Sequence, residues 1–397
     1  MVNFSMDLNQ NPQASIKVVG VGGAGGNAIN RMINSSLLGV DFIAVNTDLQ
    51  VLEMSQTSNR IQIGTNLTKG LGAGANPEIG RLAAEESSEH IKAALEGADM
   101  VFITAGMGGG TGTGASPTIA RVSRELEALT VAIVTKPFIF EGRRRMSAAM
   151  EGLKELRDDV DTLICIPNQR LLSVVESSTP LVEAFQFADE ILLQASQGIS
   201  DIINIPGYIN VDFSDVRTIM AEMGDALMGT GLSRGEHRGR EAAKKAISSP
   251  LLEDVTIAGA KGILLNISGG RDMTIEDIEN ASYVVHEEAG EEANIILGAV
   301  FDDSLEDQIR VTVIATGFNI SHMPPKRREN HEEEILNIID MAHNKPLDIE
   351  DPTFLRRGNN LTEEKKENEQ VIVNHKSIKT YTPDDLEYPT FLRNQMD

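Results

Sequence analysis

One stretch limits the fold more than any other: AGMGGGTGTGAS at 105–116, with glycine at 106, 108, 109, 110, 112 and 114. A segment without side chains cannot build a core, so its meaning lies in its flanks. A flexible linker is the plain alternative, since glycine and serine runs give chain freedom. The flanks argue against it. Upstream, ADMVFITAG is a short apolar run that reads as a buried strand; downstream, SPTIARVSRELEAL opens with Ser116 and Pro117 and carries apolar residues at helical period. The glycines then form a strand-to-helix turn, whose backbone N–H groups and helix dipole favour an anion such as phosphate.

A second cluster, GVGGAGGNAIN, follows the first apolar run, and Gly20, Gly22 and Gly25 satisfy G-x-G-x-x-G. Taken alone the pattern points to NAD or FAD, and Asp48 in AVNTD lies about where such a fold places its ribose-binding acid. That is the dehydrogenase reading. It accounts for one phosphate loop, whereas two loops on one sheet edge point to a longer phosphate chain. The P-loop pattern G-x-x-x-x-G-K-[ST] does not occur in the sequence. A third glycine turn, GLGAGANPEIG at 70–80, leads into a helix with Asn76 as expected N-cap and Pro77 at its first position. An ordinary capped loop and a phosphate contact explain that turn equally well.

From 16 to 178 apolar strands alternate with helical segments: IKVVGVG, DFIAVN, RIQIG, MVFITAG, TVAIVTK and TLICIP are the strand candidates. Such alternation predicts an α/β fold with a parallel sheet. The region 179–205 keeps helical spacing too long for an ordinary crossover and reads as a connecting helix. DALMGTGLS, GILLNISGG, ANIILGAVFD and QIRVTVIATGF, with two helical segments between them, predict a second, smaller α/β domain over 206–318. Residues 1–15 read as a disordered extension. Beyond Phe318 the composition turns to Asn, Glu, Lys, His and Pro, which cannot bury a core, so 319–383 reads as a disordered linker and 384–397 as a terminal peptide. EDPTFLRRGN at 350–359 is echoed by LEYPTFLRNQ at 386–395, either two peptides that dock on a partner or a chance recurrence.

Charge narrows the partners. Lys plus Arg number 35 against 59 Asp plus Glu, a net charge of −24, which repels nucleic acid and anionic membrane alike. Tryptophan is absent and aromatic residues make up 4%, so a base-stacking surface for single strands is not expected either. The one cysteine, Cys165, lies in the apolar run DTLICIP and reads as core; it allows neither an internal disulfide nor a thiol zinc cluster. MVNFSMDLNQNPQAS has no apolar signal core, and no 18-residue apolar stretch occurs, so a cytoplasmic protein is expected.

GGGTGTG at 108–114 matches the signature loop of the tubulin-like GTPases residue for residue. Together with GVGGAGGNA, NTD, TKPFIFEGRRR, PNQRLL and NVDFSDVRTIM it makes the chain resemble the FtsZ family of tubulin-like bacterial cell-division GTPases over about 15–318. YPTFLRNQ resembles that family's C-terminal partner peptide. The resemblance implies a tubulin-like fold that binds GTP or GDP, with Mg2+ carried on the nucleotide phosphates. It implies that Gly108, Gly109, Gly110, Thr111 and Gly112 wrap the phosphates, with Gly23, Ala24, Gly25 and Asn27 beside them. Glu141 and Arg145 would hold ribose and phosphates, Asn168 and Asp189 would pair with guanine, and Phe185 would stack on it. Without the resemblance, Arg143–Arg145 is equally a solvated charge run and Phe185 equally a core residue.

Spacing alone favours Asp212 and Asp215 as helix-capping residues before VRTIMAEM. The resemblance implies instead that these carboxylates, with Asn210, enter the nucleotide pocket of the next subunit and act on the water attacking the γ-phosphate. The expectation is therefore a head-to-tail polymer that hydrolyses GTP between subunits, forms a ring at midcell, and reaches the membrane through tethering and regulatory division proteins. The rivals are an NAD-dependent dehydrogenase, which needs a catalytic His or Lys in the second half, where His237 and His286 are the histidines, and a nucleotide-binding scaffold that does not hydrolyse.

Overall fold

Ten apolar segments become the strands of one sheet in the computed structural model, which describes residues 14–173, 179–205, 207–252 and 256–318. They are β1 (Ile16–Val21), β2 (Val40–Asn46), β3 (Asn59–Gln62), β4 (Met100–Gly106), β5 (Leu129–Lys136), β6 (Thr162–Pro167), β7 (Gly224–Arg234), β8 (Gly262–Gly269), β9 (Asn294–Phe301) and β10 (Gln308–Thr316). The spatial order is 3-2-1-4-5-6-7-10-8-9. The first six are parallel, and their continuous apolar runs reflect burial on both faces: six of the seven residues of β4 are buried. Every strand expected from the sequence forms.

The order 3-2-1-4-5-6 reverses its winding direction between β1 and β4. In open parallel sheets the crevice beyond the strand C-termini at that reversal is where ligands bind. Here Gly20 pairs with Thr104 and Val21 with Ala105, which brings the two glycine clusters side by side at one sheet edge.

One boundary differs from the sequence expectation. The helix after β4 begins at Thr111, not at Ser116–Pro117, and runs to Glu125 with Pro117 inside it. Gly112 and Gly114 therefore lie in its first turns. The proline has no N–H to give the carbonyl four residues back. The Ser116 hydroxyl donates to the Gly112 carbonyl at 2.6 Å.

The helix Leu181–Asn204 has 24 residues and spans about 36 Å at 1.5 Å per residue. It buries Ala184, Ala188, Ile191, Leu192, Ala195, Ile199 and Ile202. Phe185 near its start meets Phe138, just past the C-terminal end of β5, with ring centroids 5.3 Å apart. Asn204 at its end donates to the Gly39 carbonyl, just before β2 begins, at 2.9 Å. The helix thus runs from the C-terminal edge of the parallel strands to their N-terminal edge.

In the second half β10 pairs antiparallel with β7 and β8, and β8 pairs parallel with β9. Three residue pairs, Thr162–Ile164 with Gly224–Ala226, join β6 to β7 and make the sheet continuous. Asn266 of β8 donates to the Gly198 carbonyl of the long helix at 3.0 Å. Helices Arg238–Ile247 and Ile275–Ala289 cover this half, and Thr274 with Asp277 forms a capping box at the second.

Arg238 links the two helices from a nearly buried position. Its Nη2 lies 2.9 Å from an Asp277 oxygen, and Nη1 bonds the Asp272 carboxylate. Burial pushes the Asp277 carboxyl up, but hydrogen bonds from Arg238 and Thr274 outweigh it and hold the group below its ordinary range. Its contribution to stability is therefore present above the unfolded carboxylate range and lost as pH falls through the folded value. Arg238→Ala is expected to destabilise by about 3 kcal/mol or more, because it strands a buried carboxylate. Urea unfolding at neutral pH measures this; a loss within experimental error of zero contradicts the role.

Candidate nucleotide-binding site

The two glycine clusters approach one another as only residues without a Cβ can. Gly22, at φ +73°, opens the helix Gly22–Asn34, and a Cβ there would lie 2.9 Å from the Gly112 nitrogen. A Cβ on Gly25 would overlap the Thr104 carbonyl oxygen of β4, and one on Gly106 would lie 2.7 Å from Ala24 Cβ. Gly108, at φ +94°, presses on the Arg145 carbonyl, where a Cβ would sit at 2.6 Å. The buried N–H of Gly108 donates to the Thr113 hydroxyl at 2.8 Å, and Thr47 and Thr111 hydroxyls share a hydrogen bond of 2.7 Å.

The third glycine turn backs this cradle. Asn76 caps the helix Pro77–Glu86, accepting from Glu78 N–H at 3.1 Å, as its sequence predicts. A Cβ on Gly110 would lie 2.8 Å from Ala73 Cβ and 3.0 Å from the Asn76 nitrogen. Gly23, Gly26 and Gly109 behave differently: a Cβ on any of them meets nothing within 4 Å. Gly23, Ala24 and Asn27 are exposed. The cradle therefore has glycines that hold the fold and glycines that face open space, beside the N-termini of two helices. This is an arrangement for several phosphate oxygens.

The other expected residues gather along the same edge. Glu141 closes the short turn after β5, accepts from Phe138 N–H at 2.8 Å and pairs with Arg145. Phe138 is fully buried and stacks on Phe140, with centroids 4.9 Å apart. Phe185 is 39% exposed, so it is not a core residue. Asn168 follows β6 at 5% exposure, and its Oδ1 is buried without a hydrogen-bond donor among the described residues. An acceptor of that kind suits a ligand N–H or hydroxyl.

Between the helices Gly22–Asn34 and Leu181–Asn204 lies a cleft of about 390 Å³, lined by Asn27, Asn30, Arg31, Asn34, Ser35, Gln186 and Asp189. Burial pushes the Asp189 carboxyl up to about 6, and the positive charge of Arg31 opposes that. Of the residues expected at the base, Asp189 lines this cleft and Asn168 and Phe185 do not; Asn27, expected beside the phosphates, lines it too, and Arg31, Asn30 and Gln186 were not expected. Nothing in the sequence ties Arg31 to a helix that begins at Leu181, although its place two turns after the phosphate-facing glycines on an amphipathic helix is a signal available in retrospect.

Asp212, Asp215 and Asn210 lie elsewhere. Ile209 bridges to Ala299 of β9, and the Asn210 side chain accepts from Gly207 N–H at 2.7 Å. Asp212 stands at the N-cap of the helix Phe213–Met220, but its side chain makes no capping hydrogen bond; it and Asp215 are exposed. The same helix reaches the start of β5 through Arg217, which donates to the Glu127 carbonyl at 3.2 Å. It reaches the start of β6 through Thr162, whose hydroxyl bonds the Met220 carbonyl. These carboxylates are thus at the N-terminal edge of the parallel strands, opposite the cradle, with the length of the 24-residue helix between them.

The dehydrogenase reading loses its ribose acid. Asp48 accepts from Gln50 and Val51 N–H at 3.0 and 3.2 Å and caps a short helix. His237 precedes, and His286 lies within, the outer helices of the second half.

Two abutting glycine turns at the winding reversal of a parallel sheet, with a cleft of about 390 Å³ beside them, define an α/β protein of tubulin-like fold. Family models match accordingly: the Tubulin/FtsZ family GTPase domain over residues 15–176 and the FtsZ family C-terminal domain over 224–319. An empty FtsZ dimer from M. jannaschii is 47% identical, with 78% of this chain and 90% of that chain covered and a TM-score of 0.75. CetZ1 from Haloferax volcanii, a GDP-bound monomer, shares 19% identity over 83% of this chain and 100% of its own, with a TM-score of 0.68. CetZ2 from the same organism, a GTPγS-bound protofilament, shares 20% over 83% and 99%, with a TM-score of 0.65; both show a likeness of fold alone. The chain belongs to the FtsZ family. Its first half is a GTPase domain, which binds GTP and GDP.

The two kinds of glycine give a direct test. Gly109→Ala is expected to keep the melting temperature of the parent within a degree or two while weakening GDP binding at least about tenfold, because its methyl enters the open cradle. Gly25→Ala should lower the melting temperature itself. Calorimetry and nucleotide titration on both variants check the distinction; equal melting losses contradict it.

Proposed function

We propose that this protein is a GTP-dependent, filament-forming GTPase that hydrolyses GTP between subunits and builds the cytokinetic ring at the division site. The observation that carries the reading is the separation just described. The phosphate cradle and the exposed carboxylates Asp212 and Asp215 occupy opposite edges of the same sheet, so one chain cannot close its own site. A second copy stacked head to tail brings the carboxylate edge of one subunit onto the cradle of the next. Repetition of that heterologous contact gives a filament when its rotation does not close. The dimer recorded for the M. jannaschii relative supports assembly of this kind.

In this reading the loop Gly108–Gly112 wraps the phosphate chain, with N–H groups offered from Gly109 onward and from Gly23, Ala24 and Gly25, while the Gly108 N–H is held by the Thr113 hydroxyl and Thr111 stands at the helix N-terminus. Glu141 and Arg145 hold ribose and phosphate, Phe185 stacks on the base, and Asn168, Asn27 and Asp189 read its edge. An ionised Asp189 suits guanine because it accepts from both N1–H and the 2-amino group. Asp212 and Asp215, steadied by Asn210 on the Gly207 backbone, orient and deprotonate the attacking water of the neighbouring site. Among the described residues no group of three or more His, Cys, Asp or Glu could hold a metal, so Mg2+ would be carried by the β- and γ-phosphate oxygens and offset their charge there.

No described helix is long and apolar enough to cross a membrane. A ring beneath the membrane then depends on adaptor proteins, with the PTFLR repeats around Phe354 and Phe391 as their docking peptides in a cytoplasmic polymer. Both repeats lie outside the described residues.

Asp212→Ala is expected to leave GTP affinity near that of the parent while cutting turnover on the order of a hundredfold or more. Loss of affinity in a direct titration would place the loop in its own subunit's pocket and overturn the shared site. Separately, turnover per molecule should rise from near zero with protein concentration; constant specific activity across a wide dilution series would return the catalytic residues to one chain.

A further inference from the structure

The cleft that takes the base in the proposed function has two charged side chains in its lining, Asp189 from the long helix and Arg31 from the helix that begins at the phosphate cradle; Asn27, Asn30, Asn34, Ser35 and Gln186 are neutral. Arg31 does not pair with Asp189. Its Nε and Nη2 both lie 2.7 Å from one carboxylate oxygen of Glu190, the next residue along the long helix. The other Glu190 oxygen accepts from Gln194 at 3.3 Å, one turn further on. A guanidinium at the edge of a purine cleft is thus fixed by a two-pronged contact, and its charge lies close to the base-reading carboxylate without occupying it.

This placement solves a physical problem. Asp189 is half-buried and partly shielded from water, which favours the neutral acid, yet a protonated carboxyl can accept from only part of the guanine edge and would offer its own proton against N1–H. A nearby cation restores the charge. If that cation bonded Asp189 directly, it would take the lone pairs the base needs. Glu190 keeps it away.

We propose that Arg31, held by Glu190, is the positioning residue for guanine recognition: it keeps Asp189 as a free carboxylate and clamps the phosphate-binding helix to the base-reading helix. The proposal rests on the assignment of Asp189 to the base made above. It names two residues, neither of which touches the phosphates, and it predicts opposite effects when either is neutralised. Without Arg31, Asp189 loses the charge that opposes its burial. Without the Glu190 charge, Arg31 is released onto Asp189, which stays ionised but becomes blocked.

The experiment titrates the nucleotide-stripped full chain with GDP and with inosine diphosphate, which lacks the 2-amino group, between pH 5 and 8. For the parent, GDP affinity should be level above the Asp189 midpoint near 6 and fall about tenfold per pH unit below it, since protonation competes with the base. Arg31→Gln should move that midpoint up by about one unit, and at pH 7 should shrink the preference for GDP over inosine diphosphate. Glu190→Gln should move the midpoint down and weaken GDP binding severalfold at pH 7. Arg31→Lys should keep the parent's midpoint with reduced affinity, since an ammonium carries the charge without the fork. Melting temperatures confirm folding, and Glu190→Gln and Arg31→Lys carry the test if Arg31→Gln does not fold. Midpoints that stay put, or move the same way in Arg31→Gln and Glu190→Gln, overturn the proposal. Asp189→Asn separates the two levels: if it keeps the parent's pH dependence, the base assignment itself fails. If it loses that dependence while the Arg31 and Glu190 variants match the parent, only the positioning role fails.

Discussion

The approach of β1 to β4 is the constraint on which the rest of this molecule depends. Two parallel strands in register force the segments that follow them to leave from the same edge, and both segments here are helices. Helix N-termini carry unpaired N–H groups and partial positive charge, so two of them side by side would repel and lose solvation without an anion between them. The chain accepts that arrangement by removing side chains. Gly25 lies against the Thr104 carbonyl and Gly22 against the Gly112 backbone, so the two helices pack closer than alanine allows. What remains is a cradle whose inner surface is backbone.

Everything reached from that edge is organised by the helix Leu181–Asn204. Its first turns carry Gln186 and Asp189 to the cleft, and its last turn is fastened to Gly39 at the far side of the sheet. It also packs on the second half, where the Asn266 amide bonds the Gly198 carbonyl and the absence of a side chain at Gly198 lets Thr312 approach. A rigid rod joined to both halves fixes the distance between the cradle and the loop at 207–212. The loop in turn is pinned by the bridge from Ile209 to β9.

The same helix carries two carboxylates with contrasting surroundings, Asp201 buried and Asp189 half-buried at the cleft. Burial raises both Asp189 and Asp201 to about 6. For Asp201 a hydrogen bond from Gln197 and the charge of Arg310 oppose the shift, and Asp302 adds to it; for Asp189 the single opposing influence is Arg31. Asp201 thus has a hydrogen bond within its own helix, whereas Asp189 lines a cleft.

Sequence alone determined the strands and placed the two glycine turns that follow β1 and β4. Long apolar runs, glycine turns and helical periodicity are local properties, and they located every strand, the long helix and the Asn76 cap. The glycines at 108–112 were legible as a strand-to-helix turn because the apolar strand before them and the helical period after them are local patterns. The start of the helix at Thr111 was not legible, because Ser116–Pro117 is the better local signal. Tertiary packing of Gly110 against Ala73 and Asn76 overrides it. Which glycines support the fold and which face open space depended on neighbours far along the chain. So did the uncapped state of Asp212, which spacing favoured as a cap. Nothing local ties Arg31 to Glu190. Their pairing exists because two helices distant in sequence pack side by side, and only the folded chain could decide that.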